Sequence, residues 1–201
     1  MTSQEGSAPG PAGRAPESPP GQAGILIVDD RQENLIAFEA VLATLGHDIV
    51  LAHSGAEALE RAFRRTFAVV VMDVRMPGLG GFQTAAILRK REAYRVTPII
   101  FTSAYGVSTA DMAGSYVAGA TEFIETPADA ELLKYKVNAF VQLHFRNERL
   151  RKCAQEIASE FESLKLEAAR GNPGKALLER MSRVERSLLS LERELSGRVT
   201  P

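Results

Sequence analysis

The sequence predicts an α/β fold with a doubly wound, five-stranded parallel sheet, followed by a long α-helical hairpin or coiled coil. Between residues 24 and 140, short apolar runs alternate five times with segments of helical periodicity. The connections between them are short, which is typical of a parallel sheet covered by helices on both faces. After residue 140, apolar residues recur with a seven-residue spacing, which predicts long helices that pack along a seam.

Residues 1–23 are predicted to form a disordered leader. They contain five of the ten prolines, interspersed with Gly, Ser, Ala and Gln. Such a segment buries too little apolar surface to offset the entropy lost on ordering. It also lacks the basic start and apolar core that define a signal peptide.

Two strand–helix repeats open the α/β region. Residues 25–28 are all apolar and predict the first strand, which Asp29 and Asp30 follow. The first helix ends near Gly46 and has apolar residues at helical spacing, namely Leu35, Phe38, Leu42 and Leu45. Residues 49–51 predict the second strand. A capping box then starts the second helix; its residues are Ser54 and Glu57, and the apolar residues of the helix are Leu59, Ala62 and Phe63.

The third strand, residues 68–72, lies at the centre of the predicted sheet. Its unbroken apolar run is typical of a parallel strand that is buried on both faces. The run leads to Asp73, and Pro77 and Gly78 turn the chain soon afterwards. A carboxylate at this edge of a doubly wound sheet lies where such folds bind their ligands.

Three further elements complete the α/β region. Residues 81–91 predict the third helix, with an apolar side formed by Phe82, Ala85, Ala86, Ile87 and Leu88. Residues 99–102 predict the fourth strand and residues 122–124 the fifth. Between these strands, Ser108 and Asp111 predict the cap of a fourth helix.

Asp29, Asp30 and Asp73 are predicted to meet at one edge of the sheet, because the first and third strands both end there. Like charges at close range raise one another's pKa unless a cation compensates them. Mg²⁺ suits this role, since it binds one or two carboxylates together with water and phosphate. A carboxylate held beside Mg²⁺ can attack a phosphoryl group. Asp73 is therefore the candidate reactive carboxylate.

Several segments, in this order and spacing, resemble the CheY-like receiver domain of two-component response regulators. The matching segments are Val28-Asp29-Asp30, residues 72–78 (MDVRMPG), residues 98–104 (PIIFTSA), Gly119-Ala120 and Phe123-Ile124. The resemblance runs from Ile25 to about Phe140 and implies a flavodoxin-like receiver over residues 24–140. It also implies a phosphorelay function, in which a sensor histidine kinase or a phosphotransfer protein donates phosphate and an unknown protein receives the signal.

The resemblance assigns roles to individual residues. Asp73 is implied as the phosphoacceptor, Ser103 as the hydroxyl that grips a phosphoryl oxygen, and Phe123 as the aromatic switch that follows it inward. The implied Mg²⁺ ligands are Asp29 (mainly through water), Asp30, Asp73 and the backbone carbonyl of Arg75.

Thr126 departs from the family pattern, because the family carries a lysine at this position. That ammonium pairs with the acceptor carboxylate and then with the phosphoryl group, and threonine has neither its charge nor its reach. A charge-assisted contact is worth about 1.5–3 kcal/mol, so its loss weakens activation by about one to two orders of magnitude. Two functions therefore stay open: a phosphorylation-driven response regulator, or a degenerate receiver that serves as a phosphorylation-independent docking or oligomerisation adaptor.

Residues 141–201 are predicted to be a helical extension. Two sets of residues with seven-residue spacing, offset by three, predict that the last receiver helix continues from about Ala128 to about Arg170. The first set is Leu133, Phe140, Asn147, Ala154, Phe161 and Ala168, and the second is Leu143, Leu150, Ile157 and Leu164. Residues 171–174 break this helix, and a second helix is predicted over residues 175–196. An antiparallel hairpin is the simplest arrangement.

The seam predicts a homodimer in which two hairpins form a four-helix bundle. Asn147 at a seam position favours a parallel pair, but the flanking charges support both orientations, so the orientation of the coil stays open. A monomer with an intramolecular hairpin is the alternative.

Composition and charge argue against other classes of protein. The formal net charge is −1 and no helix-turn-helix pattern follows the receiver, so a nucleic-acid partner is not expected. No apolar run approaches the length of a membrane span. Cys153 is the only cysteine, which excludes an intramolecular disulfide and a cysteine-built zinc site. We expect a cytoplasmic phosphoprotein that has no enzymatic activity beyond self-catalysed phosphate acceptance.

Overall fold

The computed structural model of the chain describes residues 21–104, 122–126, 130–169 and 174–195. The chain divides into two compact units between Phe140 and Val141. Three predictions lie wholly or mainly outside the described residues: the disordered leader, the fourth helix capped by Ser108 and Asp111, and the helix break that begins at residue 171.

One parallel sheet forms the centre of the first unit, with the strand order β2-β1-β3-β4-β5. The strands are β1 (Gly24–Val28), β2 (Asp48–Ala52), β3 (Val69–Asp73), β4 (Ile99–Ala104) and β5 (Glu122–Thr126). The order changes direction between β1 and β3, which is the point where open α/β sheets bind ligands. The predicted fold class is confirmed.

The described helices are α1 (Gln32–Ala43), α2 (Gly55–Arg64), α3 (Gly81–Arg89), α4 (Ala130–Ala169) and α5 (Lys175–Leu195). A 3₁₀ turn, Glu92–Tyr94, follows α3. Helix α4 is continuous over 40 residues, so the long helix predicted from the seven-residue spacing is confirmed.

The central strands are buried on both faces, because their side chains alternate between the two faces and both sets are covered. One face carries a core cluster whose members include Leu26, Val70, Met72, Phe101, Ala58, Ala62, Ala85 and Leu88. The alternate strand residues Ile25, Ile27, Val71 and Ile100 are also fully buried, as are Leu35 and Leu42 of α1 and Leu133 and Val137 of α4.

Local sequence signals place α1 and α2 as predicted. Ser54 Oγ accepts a hydrogen bond from Glu57 N at 3.1 Å, which satisfies a backbone donor at the start of α2. The Glu57 carboxylate accepts from His53 N at 2.8 Å, one residue before the expected donor. Gly46 follows α1 with a φ of +71°, a left-handed conformation that glycine adopts without steric cost.

In α2, one apolar residue lies outside the buried side, and in α3 a detail of the prediction is wrong. Phe63 is 61% exposed, because one helical step of 100° separates it from buried Ala62. Its ring instead contacts the Arg91 guanidinium, 4.3 Å from the ring centroid. In α3, which ends at Arg89 rather than at residue 91, Ala86 is exposed and Thr84 is buried. The buried side of α3 therefore extends from Ala85 towards Thr84, whereas the prediction extended it towards Ala86.

The second unit contains an antiparallel hairpin formed by α5 and the second half of α4. Cys153 Sγ lies 3.3 Å from the carbonyl oxygen of Ser187. Arg180 Nε donates to Glu160 Oε1 at 3.0 Å, and the same guanidinium donates to Ser163 Oγ. Higher residue numbers on α4 meet lower numbers on α5, so the two helices run in opposite directions.

Only part of the predicted seam is covered in this hairpin. Leu150, Ile157 and Leu164 are partly buried, in agreement with packing against α5. The other set of seam residues remains exposed within the second unit, namely Asn147, Ala154 and Phe161.

Candidate functional site

Asp29 and Asp73 lie at the carboxyl edge of the sheet, at the same level of two neighbouring strands. Asp29 directly follows β1, and Asp73 is the last residue of β3. Since Val28 is paired with Met72 in the sheet register, the two aspartates are the next pair along. The structure therefore brings together two of the three predicted carboxylates across the centre of the sheet.

Asp29 is a buried carboxylate, 2% exposed, and both of its oxygens accept hydrogen bonds. Arg31 N donates to Oδ1 at 2.8 Å, and Asn34 Nδ2 donates to Oδ2 at 2.9 Å. Burial raises the pKa of the Asp29 carboxyl, and these two hydrogen bonds oppose that rise. Asn34, in the first turn of α1, thus fixes the rotamer of Asp29. This role of Asn34 was not predicted from the sequence.

Asp73 is partly buried, and the pKa of its carboxyl departs further from the ordinary value than that of Asp29. Arg75 N donates to Asp73 Oδ2 at 2.9 Å, which orients the side chain. Burial and the nearby charge of Asp29 together raise the pKa of the Asp73 carboxyl to about 6, against the lowering effect of this hydrogen bond. The site therefore concentrates negative charge that the backbone donors only partly compensate.

Asp30 is exposed, unlike its neighbour Asp29. Its charge also raises the pKa of Asp73, but less than that of Asp29 does. Within the described ranges, no three acidic, histidine or cysteine side chains are grouped so that they could hold a metal ion. We expected three carboxylates to lie close together. In the described ranges, only Asp29 and Asp73 form a close pair, because the chain leaves the sheet after Asp29 and Asp30 is exposed.

This donor set nevertheless fits Mg²⁺. The ion typically binds through one or two carboxylates and keeps several waters. Burial and the charge of Asp29 both disfavour the ionised form of Asp73, and a divalent cation would favour it.

The loop between β3 and α3 holds Asp73 in place. Gly78 has a φ of +73°, which only glycine adopts without strain, and so turns the chain after the strand. Gly81 N then donates to the carbonyl oxygen of Val74 at 3.0 Å. A Cβ on Gly81 would lie 2.2 Å from the carbonyl oxygen of Asp73. Helix α3 can therefore begin this close to β3 only because residue 81 is glycine.

Ser103 and Phe123 lie on the neighbouring strands. Ser103 is buried in β4, and Phe123 is partly buried in β5, where it packs against the core cluster. Phe123 is paired in register with Phe101, whose ring meets that of Phe82 edge to face with centroids 4.9 Å apart. Phe123 therefore lies on the face of the sheet that carries the core cluster.

Two threonines, Thr126 of β5 and Thr102 of β4, lie near the same edge of the sheet. Thr126, at the position of the family lysine, is the last residue of β5 and is paired with Ala104. Thr102 of β4 is paired in register with Asp73, and its buried Oγ1 has no hydrogen-bond partner among the described residues. No role was predicted for Thr102, because a threonine within an apolar strand is an ordinary strand residue.

Comparison with known proteins agrees with this fold and site. A sequence profile of the response regulator receiver domain matches residues 25–138. The chain belongs to this family, and it therefore carries a receiver domain of two-component signalling. Receiver domains generally bind Mg²⁺ at the phosphorylation site. Proteins with such domains interact with histidine kinases or phosphotransfer proteins.

Individual relatives cover the receiver to different extents. Protein PilH of Pseudomonas aeruginosa is 33% identical over 117 residues, which are 58% of this chain and 96% of PilH. The CAI-1 autoinducer sensor kinase/phosphatase CqsS of Vibrio cholerae is 34% identical over 119 residues, which are 58% of this chain but only 17% of that protein. The crystal structure of chemotaxis protein CheY4 of Vibrio cholerae aligns with a TM-score of 0.57 and 28% identity, over 60% of this chain and 99% of that one.

None of the helices in the described part of the chain is long and apolar enough to cross a membrane.

Proposed function

We propose that this protein is a response regulator that accepts a phosphoryl group on Asp73 and signals through protein contacts of its helical extension. The Asp29–Asp73 pair carries this proposal. It combines a buried, hydrogen-bonded carboxylate with a second one that is oriented by Arg75 N and whose pKa is raised to about 6. At neutral pH the Asp73 carboxylate is mostly ionised and is therefore available as a nucleophile.

The proposed reaction transfers a phosphoryl group from the phosphohistidine of a sensor histidine kinase or phosphotransfer protein. An oxygen of the Asp73 carboxylate attacks phosphorus; the new P–O bond forms as the P–N bond breaks, and the imidazole leaves and takes up a proton from solvent. Water later hydrolyses the acyl phosphate, which releases inorganic phosphate and restores the carboxylate. No other enzymatic activity is proposed.

The other site residues prepare this transfer. Mg²⁺, when bound, supplies positive charge to the transferred phosphoryl oxygens. Ser103 is proposed to donate its hydroxyl to a phosphoryl oxygen and Phe123 to turn inward afterwards. The proposed metal ligands are Asp29 (mainly through water), Asp30, Asp73 and the backbone carbonyl of Arg75.

A small phosphodonor tests the proposal without knowledge of the cognate kinase. The full chain is incubated with Mg²⁺ and acetyl phosphate, and the intact mass is measured. We expect one added phosphoryl group that is absent in D73N and absent when EDTA replaces Mg²⁺. Fluorine NMR with beryllofluoride provides a second readout of the same pocket. A wild-type chain that gains neither phosphate nor beryllofluoride would overturn the proposal.

The helical extension is proposed to transmit the signal as a homodimer. Leu143 and Phe161 of α4 are 45% and 53% exposed, and Leu188 of α5 is 45% exposed. Large apolar side chains along one helical seam are better buried, and a second hairpin would cover them. Light scattering on the full chain should give twice the mass of 21.8 kDa, and F161R should lower it. A monomer at micromolar concentration would contradict the dimer.

A degenerate receiver is the second candidate function, and Thr126 favours it. Since this residue ends β5 where the family carries a lysine, phosphate on Asp73 would lack an ammonium partner. The domain would then act as a phosphorylation-independent docking or oligomerisation adaptor. Binding of a downstream protein that is equal for the wild type and D73N, with and without phosphodonor, would support this alternative. Under either function we propose protein partners in the cytoplasm rather than nucleic acid.

A further inference from the structure

Among the described residues, Thr102 lies beside Asp73 with a side-chain hydroxyl that has no role in the site proposed above. It is 1% exposed, in the middle of the sheet between β3 and β5. Its Oγ1 is buried and has no hydrogen-bond partner among the described residues. Buried polar side chains are rarely left unsatisfied, and an exception in a native fold calls for an explanation.

Packing alone does not require this hydroxyl. The strand neighbours Ile100 and Phe101 are apolar and fully buried. Valine has nearly the same shape as threonine and suits a buried strand better, since it carries no donor that must be stripped of water. A buried threonine at this point thus costs stability that a valine would not.

The position of Thr102 explains the hydroxyl. Register pairs Thr102 with Asp73 on the adjacent strand, and paired residues of parallel strands point to the same face of the sheet. Neighbouring strands lie about 4.8 Å apart, which is within the reach of a short hydroxyl side chain. The strand beyond ends at Thr126 instead of the lysine typical of the family.

We propose that Thr102 is a further residue of the phosphoacceptor site: its hydroxyl donates a hydrogen bond to an oxygen of the Asp73 side chain once the phosphoryl group is attached. This inference rests on the proposed phosphorylation of Asp73. In the unmodified protein, Arg75 N already donates to Asp73 Oδ2. Transfer of the phosphoryl group changes the geometry and the number of acceptor oxygens, and the Thr102 hydroxyl gains its partner in that state. Without the ammonium, this buried donor takes over part of the stabilisation.

Beryllofluoride affinity tests this role with matched variants. The full chain, T102V and T102S are titrated with beryllofluoride at saturating Mg²⁺ and followed by fluorine NMR, and each is also phosphorylated with acetyl phosphate. We expect T102V to bind beryllofluoride about tenfold more weakly, because a hydrogen bond to a charged group is lost. T102S keeps the hydroxyl and should restore most of the affinity. Thermal unfolding without beryllofluoride should show T102V to be at least as stable as the wild type.

Three results would count against the inference, and each leads to a different conclusion. If the wild type binds beryllofluoride and T102V binds it equally well, Thr102 has no role in the site although the proposed function stands. If the wild type neither binds beryllofluoride nor accepts phosphate, the proposed function fails and this inference fails with it. Should T102V not fold, the comparison of T102A with T102S replaces it, and equal affinity of these two variants would overturn the role of the hydroxyl.

Discussion

Gly81 leaves no room for a side chain beside Asp73, since a Cβ at residue 81 would lie 2.2 Å from the carbonyl oxygen of Asp73. That oxygen belongs to the backbone of a buried strand and cannot move aside as a flexible side chain can. The close approach lets Gly81 N donate to the carbonyl oxygen of Val74 at 3.0 Å. The position of Asp73, the proposed phosphoacceptor, thus depends on how closely α3 approaches β3.

G81A should therefore displace Asp73 and destabilise the first unit. We expect a loss of about 1–3 kcal/mol in the free energy of unfolding, the usual cost of overpacking, together with reduced phosphorylation by acetyl phosphate. Urea unfolding and intact mass measure these two effects. G80A is the matched control, because a Cβ at residue 80 would meet the nearest atom, the carbonyl oxygen of Val74, at an ordinary 3.5 Å. Equal losses in the two variants would contradict this explanation.

The Asp29–Asp73 pair predicts a pH-dependent gain in stability for D73N. The pKa of Asp73 is about 6 in the folded chain against 3.8 as the ordinary value. Folding therefore favours the protonated acid, and the ionised carboxylate destabilises the fold above pH 6. This cost disappears as the pH falls towards 4.

In EDTA at pH 7.5, D73N should be more stable than the wild type by about 1 kcal/mol, a value reduced for solvent screening of a partly exposed group. The difference should shrink to near zero at pH 4. E39Q, which removes an exposed carboxylate from α1, should change stability little at either pH. Urea unfolding at both pH values provides the measurement. A D73N variant less stable than the wild type at pH 7.5 would show that the ionised carboxylate does not destabilise the fold.

The strands and the two central aspartates could be predicted because each buried strand is a run of apolar residues in the sequence and the aspartates directly follow two of these runs. The hydrogen bond from Asn34 to Asp29 and the place of Thr102 beside Asp73 could not be predicted, since they depend on which side chain a fold places beside a carboxylate. The exposure of Phe63 could not be predicted either, because a single helical step decides whether a residue is buried or exposed. The seam of α4 predicted a packed helix, but the spacing alone does not tell which set of residues faces α5.

T126K should lower the pKa of Asp73, because an ammonium beside a carboxylate favours its ionised form. An opposite charge within about 4–6 Å lowers a carboxyl pKa by about 1–3 units, so a value near 5 or below is expected instead of about 6. Carbon NMR of labelled aspartate measures this titration in metal-free protein. T126A serves as the control and should leave the pKa near that of the wild type. A pKa near 6 in T126K would show that residue 126 does not reach the acceptor.

The hairpin should lose stability when the ion pair between its helices is broken. Arg180 Nε and Glu160 Oε1 lie 3.0 Å apart, and their side chains are only 21% and 17% exposed. E160Q removes the charge that compensates the partly buried guanidinium, so we expect a loss of about 1–2 kcal/mol.

A pair within α4 supplies the control, because Lys165 and Glu162 also lie close, at 2.8 Å, but are 56% and 66% exposed. E162Q should change stability by less than about 0.5 kcal/mol, as exposed ion pairs contribute little. Urea unfolding followed by the helical circular dichroism signal compares the two variants at the same charge change. E160Q should lose more stability than E162Q because burial, and not the number of ion pairs, sets the cost of an uncompensated charge. Equal stabilities for the two variants would show that solvent screens the ion pair between the helices.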